Sequence, residues 1–183
     1  FDKDAEVPDA MLRIGLGFVE AGTVTPRPQQ GNPKPRLFRL SDDEAVINRL
    51  GFNSGGLEAY AARLEARGMR SGIVGANVGK NKETERALDD YVIGIERLTL
   101  LSDYIVVNVS SPNTEGLRDL QARESLLRLL SASMEARARA AIDITKMPPL
   151  LVKVAPDLDT SEMHDIADVV VSSGIDGLVV GNT

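Results

Sequence analysis

Short apolar runs separated by stretches of helical periodicity set the pattern of this chain, and the runs share an ending. Residues 17–20 lead to Thr23, Ile73-Val74 leads to Asn77, and Tyr104-Ile105-Val106-Val107 runs into Asn108. The run 150–154 encloses Lys153, and residues 178–180 lead to Asn182 and Thr183. Runs of this length bounded by turn residues predict buried strands. Hydroxyl, amide and amine side chains are therefore carried to the ends of several strands.

Between the strands the spacing turns helical. A short, imperfect helix is predicted over 4–16, ahead of a strand over 18–24. Residues 25–40 contain Pro26, Pro28, Pro33 and Pro35, which exclude a helix and disfavour a central strand. That segment is read as an extended ribbon covering one end of the fold, with Arg27, Lys34, Arg36 and Arg39 along it. Ser41 with Glu44 has the spacing of a capping box and predicts a helix over 42–50 closed by Gly51. Leu57, Tyr60, Ala61 and Leu64 predict another over 56–66, with a stop at Gly68. A strand over 71–76 follows, then a helix over 82–100 whose face is Leu88, Val92, Ile95 and Leu98 or Thr99. After a strand over 104–109, the longest helix is predicted over 120–141. Leu126, Leu129, Leu130, Ser133 and Met134 form its buried stripe, and Arg123, Arg128, Arg137 and Arg139 with Glu124 and Glu135 its solvated face. A strand over 150–155, a helix over 160–172 and a strand over 177–180 complete the pattern.

Strand and helix in alternation imply parallel pairing, since each helix returns the chain to the end where the strand began. An open doubly wound sheet concentrates polar strand ends at one switch point, whereas a closed (β/α)8 barrel delivers every strand end to one rim. At least five polar endings favour the barrel. A complete barrel takes about 250 residues, so a single domain over 1–183 is expected to be an incomplete one. The start on Phe1-Asp2-Lys3 and the stop at Asn182-Thr183 are read as cut ends.

Charge and composition narrow the chemistry. A net charge of −6 disfavours nucleic acid, which needs a basic stripe. With no cysteine and one histidine, disulfides, thiolate metal sites, cysteine catalysis and imidazole clusters are excluded. No apolar run approaches the roughly 20 residues that cross a bilayer, and no signal peptide is visible, so the segment is expected to be soluble. His164, flanked by Glu162 and Asp165, is read as a helix-surface residue. Lys153 differs, because an amine inside an apolar strand is costly unless it meets an anion.

Several motifs, in order along the chain, closely resemble the quinone-dependent class of the dihydroorotate dehydrogenase family. They are Phe1-Asp2-Lys3, Gly22-Thr23-Val24-Thr25-Pro26-Arg27-Pro28, Gly31-Asn32-Pro33, Asn48-Arg49-Leu50-Gly51-Phe52-Asn53, Asn77-Val78-Gly79-Lys80-Asn81-Lys82, Asn108-Val109-Ser110-Ser111-Pro112-Asn113-Thr114, Lys153-Val154-Ala155-Pro156 and Gly181-Asn182-Thr183. The resemblance implies an α/β fold, a TIM (β/α)8 barrel present here from a stub of strand one to about strand six. It implies FMN at the rim, oxidation of dihydroorotate to orotate in pyrimidine synthesis, and a quinone as electron acceptor. The phosphate site of FMN would lie beyond residue 183. Membrane contact would come only through an N-terminal segment absent from this chain, placing a bacterial enzyme at the cytoplasmic face of the inner membrane.

Forming a carbon–carbon double bond in the dihydropyrimidine removes a proton from one carbon and a hydride from its neighbour, so a base and an oxidant flank the ring. The resemblance makes Ser111 the base, with Thr114 or a water as the next proton carrier. It assigns Asn48, Arg49, Leu50, Gly51, Phe52, Asn108, Asn113, Asn182 and Thr183 to the substrate, and Lys3 to both substrate and flavin. Thr23, Asn77, Asn108, Lys153 and Gly181 are assigned to the flavin. Side-chain amides match the carbonyl and N–H edges of such rings, although asparagine also serves turns, the reading kept for Asn53 and Asn81. Two readings compete: an aldolase using Lys153 as a Schiff base, and a folded fragment that binds nothing. Pyrimidine-reducing relatives use a cysteine, which this chain lacks.

Overall fold

In chain order the elements are helix α1 (Pro8–Arg13), strands β1 (Phe18–Val24), β2 (Leu37–Leu40) and β3 (Ala45–Asn48), helix α2 (Leu57–Arg67), strand β4 (Ile73–Val78), helix α3 (Ala87–Leu98), strand β5 (Tyr104–Asn108), helix α4 (Arg123–Ala140), strand β6 (Leu150–Val154), helix α5 (Thr160–Ser173) and strand β7 (Gly177–Val180). The computed structural model describes residues 2–68, 71–114, 116–143 and 147–181. Five of the strands form one sheet in the order β1-β4-β5-β6-β7, every pair parallel. Spatial order follows chain order without reversal, so there is no switch point between strands. With right-handed crossovers, that order puts the crossover helices on one face, and α2, α3, α4 and α5 pack each against the next. This is the (β/α) barrel arrangement, here in part.

Alternation along the strands separates the two faces. Val19, Ala21, Val74, Ala76, Ile105, Val107, Leu150 and Val152 are buried and take the positions that face the helices. The opposite face carries Glu20, Gly75, Asn77, Tyr104, Val106, Asn108, Leu151 and Lys153, in lateral register from strand to strand. Gly75 leaves the space that the Tyr104 ring fills; a Cβ there would lie 2.1 Å from it. Before β1, the Asp2 carbonyl accepts from Gly22 N at 2.8 Å, so the expected stub of a first strand lies beside β1 without being a strand itself.

The predicted elements recur with shifted ends, and one changes type. No helix forms over 42–50. A 3-10 turn (Ser41–Asp43) ends on Glu44 in the left-handed region, with no side-chain cap, and β3 then pairs antiparallel with β2. Branched Val46 and Ile47 fit a strand that completes its hydrogen bonds on a partner, and the capping-box spacing does not outweigh it. The helix over 82–100 begins only at Ala87, and that over 120–141 is a 3-10 turn (Arg118–Gln121) followed by α4. Arg137 leaves the solvated face expected of it. It is 9% exposed, and its Nη1 bonds Pro148 O and the Asp176 carboxylate. His164 is exposed on α5.

Candidate functional site

The carboxyl ends of neighbouring strands bring Thr23, Asn77, Asn108 and Lys153 to one rim, all less than 9% exposed. A register shift between Gly22 and Val24 lets the Thr23 side chain meet Asn77. Its Oγ1 donates to Asn77 Oδ1 at 2.5 Å. Asn108 Nδ2 donates to Thr23 Oγ1 at 2.9 Å and to Asn77 Oδ1 at 3.2 Å. Asn77 Nδ2 donates to Glu20 Oε1 at 2.7 Å, and Asn108 Oδ1 accepts from Ser110 N and Ser110 Oγ. Two buried tyrosines fix the strands beneath. Tyr60 donates to Ala21 O at 3.1 Å and Tyr91 to Asn108 O at 2.8 Å.

The β5–β6 register sets Lys153 beside Asn108. Among the described residues its Nζ has no hydrogen bond or ion pair, a costly state for a buried ammonium. Lys3, half-buried, is near enough to Lys153 to feel its charge. Burial, then the charge of Lys153, holds its ammonium below the ordinary lysine range, against Asp4, which raises it. Two neighbouring cations, of which Lys153 has no ion pair among the described residues, make a receptor for negative charge.

Ser111 follows β5 directly and is 5% exposed. Its Oγ accepts from Asn113 N at 3.2 Å, which leaves the hydroxyl proton uncommitted. Thr114, three residues on, is buried with an Oγ1 that has no partner among the described residues. The loop is anchored where it leaves the site. Arg118 forms a two-pronged pair with Asp157 at 3.0 Å and reaches Ser110 O at 3.4 Å, tying the loop after β5 to the loop after β6.

The strip 48–52 reaches this loop through Asn32, whose Nδ2 donates to Arg49 O at 3.0 Å and Asn113 O at 3.3 Å. Asn48 Oδ1 accepts from Leu50 N. Arg49 turns away, to Pro35 O and the Phe38 ring. Gly51, at φ 69°, packs on the Asn32 amide, where a Cβ would lie 2.7 Å from it. Phe52 is 4% exposed in the left-handed region at φ 52°, and its ring reaches Gly79 next to Thr23. Gln29 holds the carbonyls of Gly51 and Phe52.

The structure thus gathers Lys3, Thr23, Gly51, Phe52, Asn77, Asn108, Ser111, Asn113 and Lys153 at one end of the sheet, and sends the Arg49 side chain elsewhere. Gly181 continues β7 and donates to Val154 O at 3.2 Å, with open space where a side chain would be. Asn182 and Thr183 lie outside the described residues. Glu20 was not singled out from the sequence, and Asn32, part of the Gly31-Asn32-Pro33 motif, was given no role. Glu20 could have been, as a charge inside an apolar strand, whereas the motif around Asn32 gave no sign of its reach to Arg49 O and Asn113 O. A cavity of about 640 Å3 lined by Leu12, Leu16 and Gly72 lies at the other end of the sheet, away from this chemistry. Among the described residues no acidic or histidine cluster could hold a metal, and no helix is long and apolar enough to cross a membrane.

Comparison with known proteins agrees with this fold. The family model described as dihydroorotate dehydrogenase matches residues 1–183. A dihydroorotate dehydrogenase (quinone) of Azorhizobium caulinodans is 58% identical over 185 residues, covering 100% of this chain and 52% of that protein. A mitochondrial dihydroorotate dehydrogenase (quinone) of Cyclocybe aegerita is 54% identical, covering 100% and 56%. The crystal structure of DHODH from Eimeria tenella in complex with ferulenol superposes with a TM-score of 0.93 at 45% identity, covering 100% of this chain and 55% of that one. The chain spans about half the length of the curated relatives it matches. Strand order, rim chemistry and these likenesses agree: the chain belongs to the dihydroorotate dehydrogenase family.

Proposed function

We propose that the protein containing this chain oxidises dihydroorotate to orotate in pyrimidine synthesis, with FMN taking the electrons and a quinone removing them. The supporting observation is the buried, unpartnered Lys153 beside the Thr23–Asn77–Asn108 network, with Ser111 three residues beyond Asn108. This donor set fits a flavin. Its pyrimidine edge offers carbonyls and N–H groups to amides and a hydroxyl, and an ammonium suits the negative charge the ring acquires. FMN, when bound, supplies a two-electron acceptor for the hydride. Lys153 and Lys3 would supply positive charge to the flavin, and Thr23, Asn77 and Asn108 would hydrogen-bond it. Asn113 and the strip 48–52 present amide and backbone groups to the substrate.

Ser111 takes the proton. Serine is a weak base at neutral pH, so its own proton leaves as the substrate's arrives, and the unpartnered Thr114 hydroxyl or a water is the next carrier. The relatives named dihydroorotate dehydrogenase (quinone) support the quinone. Membrane contact, at the cytoplasmic face of the inner membrane in a bacterium, belongs to a segment other than this one. The deciding experiment purifies the full-length protein and follows its flavin absorbance, with bleaching by dihydroorotate and recolouring by a quinone expected. A colourless protein that borohydride links to a carbonyl substrate at Lys153 would establish the aldolase instead, and one that binds neither would be the inert fragment.

A further inference from the structure

Glu20 stands in β1 on the face shared by Asn77 and Tyr104, away from the helices. Among the described residues it pairs with no cation, and its hydrogen bond is to Asn77 Nδ2. Its charge is nonetheless felt nearby: after burial, it is the next cause pushing the Tyr104 phenol up.

The donors and acceptors of the network fix what it shows a ligand. At one end Ser110 N, which can only donate, meets Asn108 Oδ1 at 3.0 Å. Asn108 Nδ2 therefore points the other way and spends its hydrogens on Thr23 Oγ1 and Asn77 Oδ1. The Thr23 hydroxyl donates in turn to Asn77 Oδ1. At the far end Asn77 Nδ2 meets a carboxylate, which when ionised can only accept. The network is strung between an obligate donor and an obligate acceptor, so flipping either amide creates a donor–donor or acceptor–acceptor contact. What remains for a ligand is one N–H of Asn77 and one lone pair of Thr23.

We propose that Glu20 is a positioning residue for the flavin: it holds the Asn77 amide so that the free N–H faces the ring, and sets a fixed negative charge behind the network. This rests on Thr23 and Asn77 being flavin contacts, as proposed above. A negative charge one amide away from the ring opposes reduction, so its removal raises the flavin's reduction potential.

The test uses the full-length protein, native and as Glu20→Gln, Glu20→Met and Glu20→Asp. Flavin binding is measured by fluorescence and reduction potential against a reference dye, neither of which needs turnover. Glu20→Gln is expected to shift the reduced-to-oxidised ratio about tenfold toward reduced at a fixed potential, about 30 mV for a two-electron couple. Glu20→Met, which removes the charge without adding a polar atom, is expected to shift it the same way. Glu20→Asp, which keeps the charge, is expected to stay within about twofold of native. Flavin bound at native stoichiometry shows that each variant has folded. Native potentials in both the Gln and Met variants, with flavin bound, would overturn the inference and leave the flavin site standing. A native full-length protein that binds no flavin overturns the site reading, and this inference with it.

Discussion

The two ends of the sheet handle charge differently. At the amino end, Asp176 accepts from Leu150 N and from Arg137, and Asp103 accepts from Val74 N at 2.7 Å. Each carboxylate there is matched within the chain. At the carboxyl end, Lys153 is 8% exposed with no anion among the described residues, and Thr114 Oγ1 has no partner. The same strands supply both ends, so strand packing cannot be the cause. The carboxylates that serve the fold find their partners inside it, whereas the rim lysine keeps bonding capacity for something that is not protein; among the described residues, buried polar atoms without a partner occur away from the rim too, at Tyr104 Oη, Ser133 Oγ and Arg137 Nε.

That contrast is broken most severely at Ser111. Ser111→Ala in the full-length protein is expected to lower dihydroorotate oxidation by roughly 10²–10⁴, the range for losing a positioned base, with flavin binding retained. Full turnover in the variant would remove Ser111 from the chemistry. Lys153→Met comes next, with turnover down about 10²–10³. Its thermal midpoint should hold or rise, because an uncompensated buried charge is gone. A marked fall in thermal midpoint would mean that Lys153 serves the fold, and the contrast between the two ends would collapse.

At the amino end the expected pattern is reversed, with stability lost and chemistry spared. Burial tends to raise the Asp176 pKa, but Leu150 N–H and Arg137 outweigh it and hold the carboxyl below its ordinary value. A lowered folded pKa means that the stabilisation is complete above the unfolded value of about 4, and is lost as pH falls through the folded value. Asp176→Ala is expected to cost about 2 kcal/mol near neutral pH, the order for hydrogen bonds to a charged group, tempered by a carboxylate 43% exposed. The gap between native and variant, from denaturant melts, should stay flat from neutral down to about pH 4 and close below it. A gap that widened in acid would contradict the assignment.

How far the sequence shows these two ends depends on how local the signal is. β1 and β7 were readable to the residue, because branched apolar runs bounded by glycine have few other conformations. Lys153 was readable for the same reason, as a charge where the run permits none. Glu20 carries that signal too, but its exposure beside a helix-facing Val19 reads as ordinary alternation until Asn77 is seen to hold it. The stretch 42–50 misled because the capping-box spacing is satisfied within four residues, whereas the β2–β3 pairing that decides it is a contact between segments. Arg137 misled likewise: its helix position indicates solvent, and Asp176, which buries it, comes from another turn of the fold. Asn32 bridges Arg49 O and Asn113 O across 81 residues of chain, a relation no local pattern encodes.

The finest distinction lies between two tyrosines with the same task. Tyr60 and Tyr91, both 0% exposed, each donate a hydroxyl to a strand carbonyl, Ala21 O and Asn108 O. Burial first, and then neighbouring carboxylates, Asp2 for Tyr60 and Asp90 for Tyr91, push both phenols far up, so both hydroxyls keep their protons and act as donors at any working pH. Replacing either with Phe removes one buried hydrogen bond and is expected to cost about 1 kcal/mol. The stability losses should therefore be alike. The site should register only one of them, because the Tyr91 partner is the carbonyl of the residue whose amide orders the network, while Ala21 points into the helix layer. Tyr91→Phe is expected to weaken flavin binding by a few-fold, and Tyr60→Phe to leave it unchanged, as fluorescence titration of the two full-length variants would show. Equal effects on flavin would mean that the rim responds to stability alone, and that the helix beneath Asn108 does not help to aim it.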